Sequence, residues 1–353
     1  MDTLTAFAQG FAALATLPVA LSLLAGAVLG IVVGVLPGVG PGVTIAVLLP
    51  FTYGMPPLAG LSLLLGVYCG AFYGGAVTSI LIRTPGEASS IMTMFDGWPM
   101  ARAGQAQRAL SLAFMSAFLG GVASALLLAL AARPMSQLAA RFGAAESVMA
   151  IVLAALCVGR AYRSQFFAAM AMMGIGFFLG TVGIDPNSNE QRYTFGAAGL
   201  LSGIPLVPVA VGLFGVAQAL VMVSSPPPAP DRSLIDRAGL SARAFLEPFR
   251  YPRTLAKGLT LGSAIGVLPA VGAALSTSLA YFWAQRGAKD PTPFGQGNPE
   301  GIVAAESANN SNSGGAMITV LTLGIPGDAI TAIIMGVFVV HGIVPGPALL
   351  TER

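Results

Sequence analysis

The sequence predicts an all-α, polytopic helical membrane protein built from two repeated halves that contain broken or re-entrant helices. Three observations support this: scarce charge, apolar runs of membrane-spanning length and an internal repeat. Only 9% of the 353 residues are Asp, Glu, Lys or Arg, whereas soluble domains carry about 25%. Mean hydropathy is +0.81, and no charge lies between Asp2 and Arg83. Because so few charges cannot cover a surface that faces water, the composition excludes a soluble enzyme, a disordered chain and a disulfide-stapled secreted domain.

Apolar runs give the order of the expected membrane segments. A helix needs about 20 apolar residues to cross the hydrocarbon core. Suitable runs cover residues 17–36, 58–82, 109–132, 144–159, 164–184, 195–223, 258–284 and 314–340. The N-terminus has no basic region before its apolar stretch, so we expect a first membrane segment rather than a signal peptide.

Residues 41–57 follow the first run and differ from the others. They are uncharged but carry Pro41, Pro50, Pro56 and Pro57. The stretch is too broken for a regular span and too apolar for a loop in water. We interpret it as a re-entrant or half-length segment, which membrane depth tolerates only where protein buries it or it lines a cavity.

Two polar stretches divide the rest of the chain. Residues 224–257 begin SSPPPAP and are rich in arginine, which predicts a basic, Pro-rich linker on the cytoplasmic side. Residues 285–312 start with charges and end in small polar residues. We therefore expect a membrane repeat with following scaffold helices in 1–223, the linker in 224–257, and a second membrane repeat in 258–353 that is short at its C-terminal end.

An internal repeat is the strongest signal in the sequence. GVLPGVGPGVT at 34–44 returns as GVLPAVGAALS at 266–276, and small residues spaced by four run through both copies. GGAVTSILIRTPGEA at 74–88 and GGAMITVLTLGIPGDA at 314–329 form a second pair in the same order. The pattern predicts duplicated halves, which we expect to be inverted, and helices that pack closely along their small residues.

Pro-Gly pairs mark the places where these apolar segments break. A break frees backbone groups at membrane depth, so that the following half-helix can hold an anion at its N-terminus and freed carbonyls can hold a cation. Matching breaks in duplicated halves are typical of secondary transporters. The alternative is that the prolines only kink packed helices. The candidate anion sites are Pro37-Gly38, Pro85-Gly86 and Pro326-Gly327.

Acidic and amide side chains in apolar surroundings are candidates for binding a coupling ion. Asp328 lies in a long uncharged stretch, and Glu306, Asn309 and Asn310 share a face with Ser313 if that stretch is helical. Carboxylate and amide oxygens suit Na⁺ or a substrate hydroxyl. The alternatives are a helix cap at Asp328 and a polar loop at the water interface for the other four.

The first half offers different chemistry at the matching places. Glu87 takes the position of Asp328, with ligand binding and helix capping as alternatives of equal weight. The face matched to the amide residues carries Gly66, Gly70 and Gly74, so we expect bare backbone where the second half has side chains.

Arg83 ends the uncharged run and has two interpretations. Its guanidinium could pair with a substrate carboxylate in bidentate fashion, or it could be an arginine at a helix end that snorkels to the interface. Thr84 and Ser89 nearby are candidates for hydroxyl contacts.

Composition also limits the cofactors and partners. Cys69 and Cys157 lack CxxC spacing and His341 is the only histidine, so we expect no metal site and no cofactor. The arginines lie between apolar runs, where they set topology rather than bind nucleic acid.

Three long strings resemble one family, the TctA family, which supplies the large membrane subunit of tripartite tricarboxylate transporters. The strings are GVLPGVGPGVTIAVLLPFTYGMPP at 34–57, YCGAFYGGAVTSILIRTPGEASSIMTMFDGWPMARAG at 68–104 and EGIVAAESANNSNSGGAMITVLTLGIPGDAITAIIMGVFVVHGIVPGPALL at 300–350. The chain departs from the family at Arg83, where many members have Asn. The resemblance implies that substrate-binding residues are Pro37, Gly38, Gly40, Pro41, Thr84, Pro85, Gly86, Glu87, Ser89, Pro326 and Gly327, and ion-coupling residues Glu306, Asn309, Asn310 and Asp328.

The resemblance also implies a function. It points to a multi-pass protein of the bacterial inner membrane that takes up citrate-like tricarboxylates or related organic acids, driven by Na⁺ or H⁺. Its expected partners are a small four-helix membrane subunit, a periplasmic solute-binding protein and membrane lipid. We expect no catalytic residue and no enzyme activity. Two alternatives stay open: an intramembrane enzyme whose two acids share a site, and a passive anion channel.

Overall fold

The computed structural model describes residues 3–36, 39–139, 165–185, 190–204, 211–224, 239–269 and 271–346, with isolated positions at 145, 148, 149, 152, 155, 156, 188, 208, 209 and 349. The described chain is almost wholly helical. Its one β-ladder joins β1 (Gly183–Ile184) to β2 (Gln191–Arg192) in antiparallel fashion. The helices are α1 (Thr3–Leu14), α2 (Leu17–Gly34), α3 (Gly40–Leu48), α4 (Pro57–Leu81), α5 (Ile91–Met100), α6 (Ala106–Ala139), α7 (Phe166–Gly180), α8 (Ala217–Ser224), α9 (Ala242–Phe245), α10 (Pro252–Gly266), α11 (Gly272–Gly287), α12 (Pro299–Leu323) and α13 (Ala329–Val340).

Three of the described helical stretches are long and apolar enough to cross a membrane. They are α2, α4 and the continuous run from the 3-10 turn at Ala88–Ser90 through α5 into α6. Length and composition are the criteria, since about 20 residues of helix span the hydrocarbon core. The prediction of an all-α membrane protein is therefore confirmed.

In the first half, α2 and α4 pack backbone against backbone. A Cβ atom added to Gly26, Gly30 or Gly34 of α2 would collide with backbone atoms of Leu63, Val67 or Ala71 of α4, respectively. Glycines on the α4 side make the contact equally close, because a Cβ at Gly66, Gly70 or Gly74 would collide with the backbone of α2. The ladder of small residues thus does what its spacing predicts: it lets two membrane helices approach closely.

In the second half, α10 and α12 pack in the same register. Gly258, Gly262 and Gly266 of α10 meet Ala304, Ala308 and Asn312 of α12, again at steps of four. In both halves the chain then leaves the helix and starts a new one at a glycine with positive φ, which is Gly40 (φ 60°) in α3 and Gly272 (φ 73°) in α11. The duplicated origin of the halves and their inverted orientation stay predictions.

Several predicted spans have different bounds in the structure. The run 258–284 is wrong as one span because the chain breaks between α10 and α11, and 314–340 is wrong because it breaks between α12 and α13. The run 195–223 is wrong because a 3-10 turn at Ala198–Leu200 precedes a π-helical turn at Val211–Val216 and α8. Hydropathy alone does not report these breaks, because the turn residues are themselves apolar.

The remaining segments fall as follows. Residues 17–36 and 58–82 correspond to α2 and α4, and 109–132 lies inside the longer α6. Residues 41–57 form a half-length element, α3 followed by a 3-10 turn at Leu49–Gly54. Most of 144–159 lies outside the described residues, and so do residues 225–238 of the linker 224–257.

The core lies where the halves interlock. One apolar cluster joins α3 and α4 of the first half to α12 and α13 of the second. Another joins α4, α5 and α6 to α12. As a result α12 is buried along nearly its whole length, from Gly301 to Val320.

Candidate functional site

Two chain breaks, one per half, form the centre of the candidate site. After α4 and after α12 the chain becomes extended at an acidic residue and then turns back into helix. Glu87 has φ −147° and ψ 165° before the turn at Ala88–Ser90, and Asp328 has φ −153° and ψ 179° before α13. Each acid therefore lies at the N-terminus of the following helical segment, where partial positive charge favours a carboxylate.

Asp328 caps α13. Its carboxylate accepts a hydrogen bond from the backbone N–H of Thr331 at 2.7 Å, and its own N–H donates to the Thr331 hydroxyl oxygen at 2.9 Å. This reciprocal pair is a capping box, which satisfies two backbone donors of the helix end. The capping interpretation thus holds for Asp328, and it leaves the second carboxylate oxygen for another partner.

The glycines of the Pro-Gly breaks are needed for close approach. A Cβ at Gly86 would collide with the carbonyl oxygen of Gly34 and lie 2.7 Å from the Cα of Gly75. A Cβ at Gly327 would collide with the Cα of Ala316. The breaks are therefore pressed against the helices of their own half, which holds the two acids in place.

Two hydrogen bonds cross between the halves in a reciprocal pattern. The Tyr68 hydroxyl of α4 donates to Asp328 Oδ2 at 2.7 Å. The Asn309 amide of α12 donates to Glu87 Oε1 at 3.5 Å. Tyr68 and Asn309 hold equivalent places in the packing. Tyr68 directly follows Val67, which contacts Gly30 of α2, and Asn309 directly follows Ala308, which contacts Gly262 of α10. Each half thus reaches from its long helix to the acid of the other half, as the two partners of a two-fold interface do.

A third carboxylate joins this site. Glu306 of α12 is fully buried, and the Thr93 hydroxyl of α5 donates to its Oε1. Glu87 lies within electrostatic range of both Asp328 and Glu306. Three carboxylates in so little water repel one another, so a cation or a proton would stabilise the arrangement.

Unpaired polar atoms lie on the same helix. Among the described residues, Glu306 Oε2, Asn309 Oδ1 and Asn310 Oδ1 are buried without a hydrogen-bond partner, and so are both amide atoms of Asn312. Unsatisfied buried oxygens are costly, and each needs an explanation. Amide and carboxylate oxygens are hard ligands that a small cation would satisfy.

The face assigned to the first half is corrected by the structure. Gly66, Gly70 and Gly74 face α2 within their own half, so they are not the counterparts of the amide residues. The counterpart of Asn309 is Tyr68. Sequence comparison misses this because a tyrosine and an asparagine look unrelated until the packing register pairs them.

The other predicted residues lie around the first break or at the start of α3. The Ser89 hydroxyl donates to Glu87 Oε1 at 2.5 Å, whereas the Thr84 hydroxyl donates to the nearby carbonyl of Ile82 at 3.2 Å. Gly40 and Pro41 form the first turn of α3, and Pro37 and Gly38 lie outside the described residues. In the second half, the matching turn of α11 approaches the second acid, since a Cβ at Gly272 would lie 3.8 Å from the Cβ of Asp328.

Sequence reasoning missed one buried acid, Asp96 of α5. Its Oδ1 accepts backbone hydrogen bonds from Gly295 and Asn298, both at 2.8 Å, and from Gly297 at 3.0 Å. Its Oδ2 accepts from the Tyr281 hydroxyl at 2.8 Å. Asp96 therefore ties the first half to the loop that precedes α12. Its partners lie some 200 residues away in the sequence, so no local pattern predicts the contact. The apolar residues around Asp96 in α5 were the one sign that this acid is buried.

Within the described part of the chain, no group of three His, Cys, Asp or Glu residues is suited to hold a metal ion, so a cation at this site would need amide oxygens among its ligands. What the site offers is an acidic cluster, buried at Glu306 and Asp328 and half-buried at Glu87, with amide oxygens beside it and the start of α11 next to it. An anion at a helix N-terminus and a cation at the carboxylates are the ligands that these groups favour.

Comparisons with known proteins agree with this picture. A model of the tripartite tricarboxylate transporter TctA family matches residues 20–353. An uncharacterized 52.8 kDa protein of Agrobacterium vitis, from the TAR-I ttuC' 3' region, is 40% identical over 311 residues, which cover 88% of this chain and 61% of that protein. A second A. vitis protein, from the TAR-II ttuC' 3' region, is 41% identical over 92 residues, or 26% of this chain and 38% of that protein.

The chain thus spans less than two thirds of the length of either relative. No solved structure matches it. Because the family model covers nearly the whole chain, this protein belongs to the tripartite tricarboxylate transporter TctA family.

Proposed function

We propose that the chain is the substrate-translocating membrane subunit of an ion-coupled secondary transporter for small carboxylates. The reciprocal contacts between the halves carry this proposal. They place the acid of each break against the long helix of the other half, so that ligand binding at the breaks and movement between the halves act on the same bonds. Family membership supports the same function.

The substrate would bind as an anion. We expect the helix starts at Gly40 and Gly272 to offer backbone N–H groups to it, because helix N-termini favour negative charge. Citrate-like tricarboxylates or related organic acids fit the family. The carboxylates of Glu87, Glu306 and Asp328 would repel such a substrate unless they are neutralised.

The coupling ion would supply that neutralisation. Na⁺ could coordinate the unpaired oxygens of Glu306, Asn309 and Asn310, or H⁺ could protonate one of the carboxylates. Either cation lowers the repulsion that the substrate meets, so the two bind together more tightly than either alone. Movement of one half against the other would then expose the site to alternate sides of the membrane.

The remaining parts of the proposal come from the family. The chain would reside in the bacterial inner membrane and work with a small four-helix membrane subunit and a periplasmic solute-binding protein. The solute-binding protein would deliver the carboxylate to the periplasmic face.

Labelled citrate uptake into proteoliposomes that contain the full complex tests the proposal. We expect uptake to require an imposed Na⁺ or pH gradient, and Glu306→Gln and Asp328→Asn to reduce it at least tenfold. Both substitutions remove a charge, and Asn keeps the helix cap of Asp328. Glu300→Gln is the matched control, because Glu300 lies on α12 outside the site and accepts its bond from Thr254. Unchanged gradient-driven uptake in both site variants would contradict ion coupling at these acids.

The same vesicles separate the proposal from its two alternatives. A carrier exchanges internal unlabelled citrate for external labelled citrate without a gradient, whereas a passive channel only lets the label equilibrate. Cleavage of a membrane-embedded peptide by the wild type, lost in Asp328→Asn, would instead indicate an intramembrane enzyme.

A further inference from the structure

Arg83 occupies a backbone position that suits glycine. It lies two residues after the end of α4 and has φ 52°, a left-handed conformation that side chains disfavour. Gly324 holds the equivalent place after α12 with φ 69°, and each of the two residues lies four positions before the acid of its break. Gly324 is the expected helix-ending residue. An arginine at this position adds backbone strain that a glycine would avoid. We therefore infer that the arginine side chain has a function that compensates for the strain.

The surroundings of Arg83 concentrate positive charge. Its guanidinium carbon lies 4.6 Å from the ring centroid of Trp98, and that of Arg102 lies 5.2 Å from the same ring. Stacking on an indole holds a guanidinium in a defined orientation. In the part of the chain that the structure describes, neither arginine forms a salt bridge with a carboxylate. Both arginines are exposed, so their hydrogen-bond donors are available to a ligand.

We propose that Arg83 and Arg102, held on Trp98, form an entry site that captures one carboxylate group of the substrate before it reaches the buried acids. This inference rests on the proposed function and adds a specificity to it. A guanidinium donates two parallel hydrogen bonds to a carboxylate. A substrate with two or three carboxylates can use one here and leave the others for the helix N-termini. The site therefore favours di- and tricarboxylates over monocarboxylates.

A lipid phosphate is the competing ligand for the same donors, because arginine and tryptophan are also common at the membrane interface. We favour the substrate because Arg83 belongs to the break itself, between the end of α4 and Glu87. A snorkelling arginine needs no such position and would be expected in an ordinary helical conformation.

Equilibrium binding of labelled citrate, succinate and acetate to the purified full chain in nanodiscs tests the inference. We expect Arg83→Gly and Arg83→Gln to weaken citrate binding by about tenfold to a hundredfold, the loss of a bidentate charged contact. The citrate affinity of Arg83→Lys should lie between those of these two variants and the wild type, because lysine keeps the charge but cannot donate two parallel hydrogen bonds to one carboxylate. Arg102→Gln should weaken citrate binding by a smaller factor, and acetate binding should change least.

The design separates folding from binding. Glycine fits a positive φ, so Arg83→Gly should not lower the melting temperature even though it weakens binding. Arg253→Gln, which removes an exposed arginine at the start of α10, is the charge-matched control and should bind citrate as the wild type does.

Three results would count against the entry site. Equal citrate affinity in the wild type and Arg83→Gly would overturn it while leaving the proposed function intact. If the wild type binds none of the three carboxylates, the proposed function itself fails. If citrate affinity is unchanged but Arg83→Gly loses a stabilisation by phosphatidylglycerol, the arginines hold a lipid phosphate instead.

Discussion

At the residue scale, Asp96 shows how a buried charge can hold two distant segments together. One carboxylate oxygen accepts three backbone hydrogen bonds from the loop before α12, and the other accepts the Tyr281 hydroxyl. A Cβ at Gly301 would collide with Asp96 Oδ2, so the helix start closes directly over the acid. A carboxylate with this many donors is fully solvated by protein, which makes its burial tolerable.

We therefore expect Asp96→Ala to destabilise the protein by about 3 kcal/mol, since it leaves three backbone N–H groups and the buried Tyr281 hydroxyl without their acceptor. Tyr281→Phe should cost about 1 kcal/mol, the worth of one hydrogen bond. Thermal unfolding in detergent, followed by tryptophan fluorescence, measures both.

Asp290→Ala is the control for that experiment. Asp290 is exposed, and hydrogen bonds from the N–H and hydroxyl of Thr292 hold the pKa of its carboxyl below the usual range. Its bonds stay within one loop, so removing them should leave the melting temperature almost unchanged. Equal melting temperatures for Asp96→Ala and the wild type would show that the loop before α12 is fixed by other contacts.

Sequence alone marked out the acids of the candidate site but not the partners with which they pair. Glu87, Glu306 and Asp328 stand out because charge is rare in apolar surroundings, and this signal needs no structure. Their partners Thr93 and Tyr68 lie in the other half of the molecule, and no local pattern marks a hydroxyl as the partner of a distant acid. Asp96 was missed for the same reason.

At the element scale, close helix packing depends on which glycines face a neighbour. Gly120 and Gly121 are consecutive on α6, but only a Cβ at Gly120 meets α12, at 2.6 Å from the carbonyl oxygen of Ser307. A Cβ at Gly121 has nothing within 4 Å. The same substitution at these two positions therefore compares a glycine that is packed against a neighbouring helix with one that is not.

We predict that Gly120→Ala destabilises the protein by about 1–3 kcal/mol through overpacking. Gly121→Ala should be neutral or stabilising by up to about 1 kcal/mol, because alanine favours the helix over glycine. Melting temperatures of the two variants, measured side by side in detergent, check the difference. Similar melting temperatures would mean that α6 can shift away from α12 to make room for the added methyl group without loss of stability.

The apolar helices were predicted well, and the polar one was not. The apolar runs for α2 and α4 match the observed helices to within two residues at each end, because hydropathy reports an apolar helix whether it is largely exposed, as α2 is, or largely buried, as α4 is. For α12 the prediction placed a span at 314–340, whereas the helix is Pro299–Leu323. Its polar residues face other helices, so hydropathy does not report that they lie in the membrane interior.

At the scale of the whole molecule, the reciprocal bonds from Tyr68 and Asn309 are the contacts that an approximate two-fold relation between the predicted halves would produce. An axis along the membrane normal would give parallel halves, and an axis in the membrane plane would give inverted ones. The contacts are the same in both cases. Only an experiment that reports which side of the membrane each half faces can therefore distinguish parallel halves from inverted ones.

We predict inverted halves. Gly54 ends the 3-10 turn after α3, Lys289 follows α11, and both are exposed at equivalent places. In a chain without Cys69 and Cys157, a cysteine at position 54 and one at position 289 should react with a membrane-impermeant maleimide from opposite sides of sealed vesicles. Detergent-opened vesicles, in which both should react, are the control. Labelling of both from the same side would mean that the halves are parallel.

The burial of α12 also bears on how the protein is made. This helix carries Glu306, Asn309, Asn310 and Asn312 in its middle, and a segment with that many polar groups is costly to release into lipid alone. Its neighbours α4, α5 and α6 precede it in the chain and pack directly against it. The first half therefore has to be in the bilayer before α12 leaves the translocon, and the order of synthesis becomes part of what allows so polar a helix to enter a membrane.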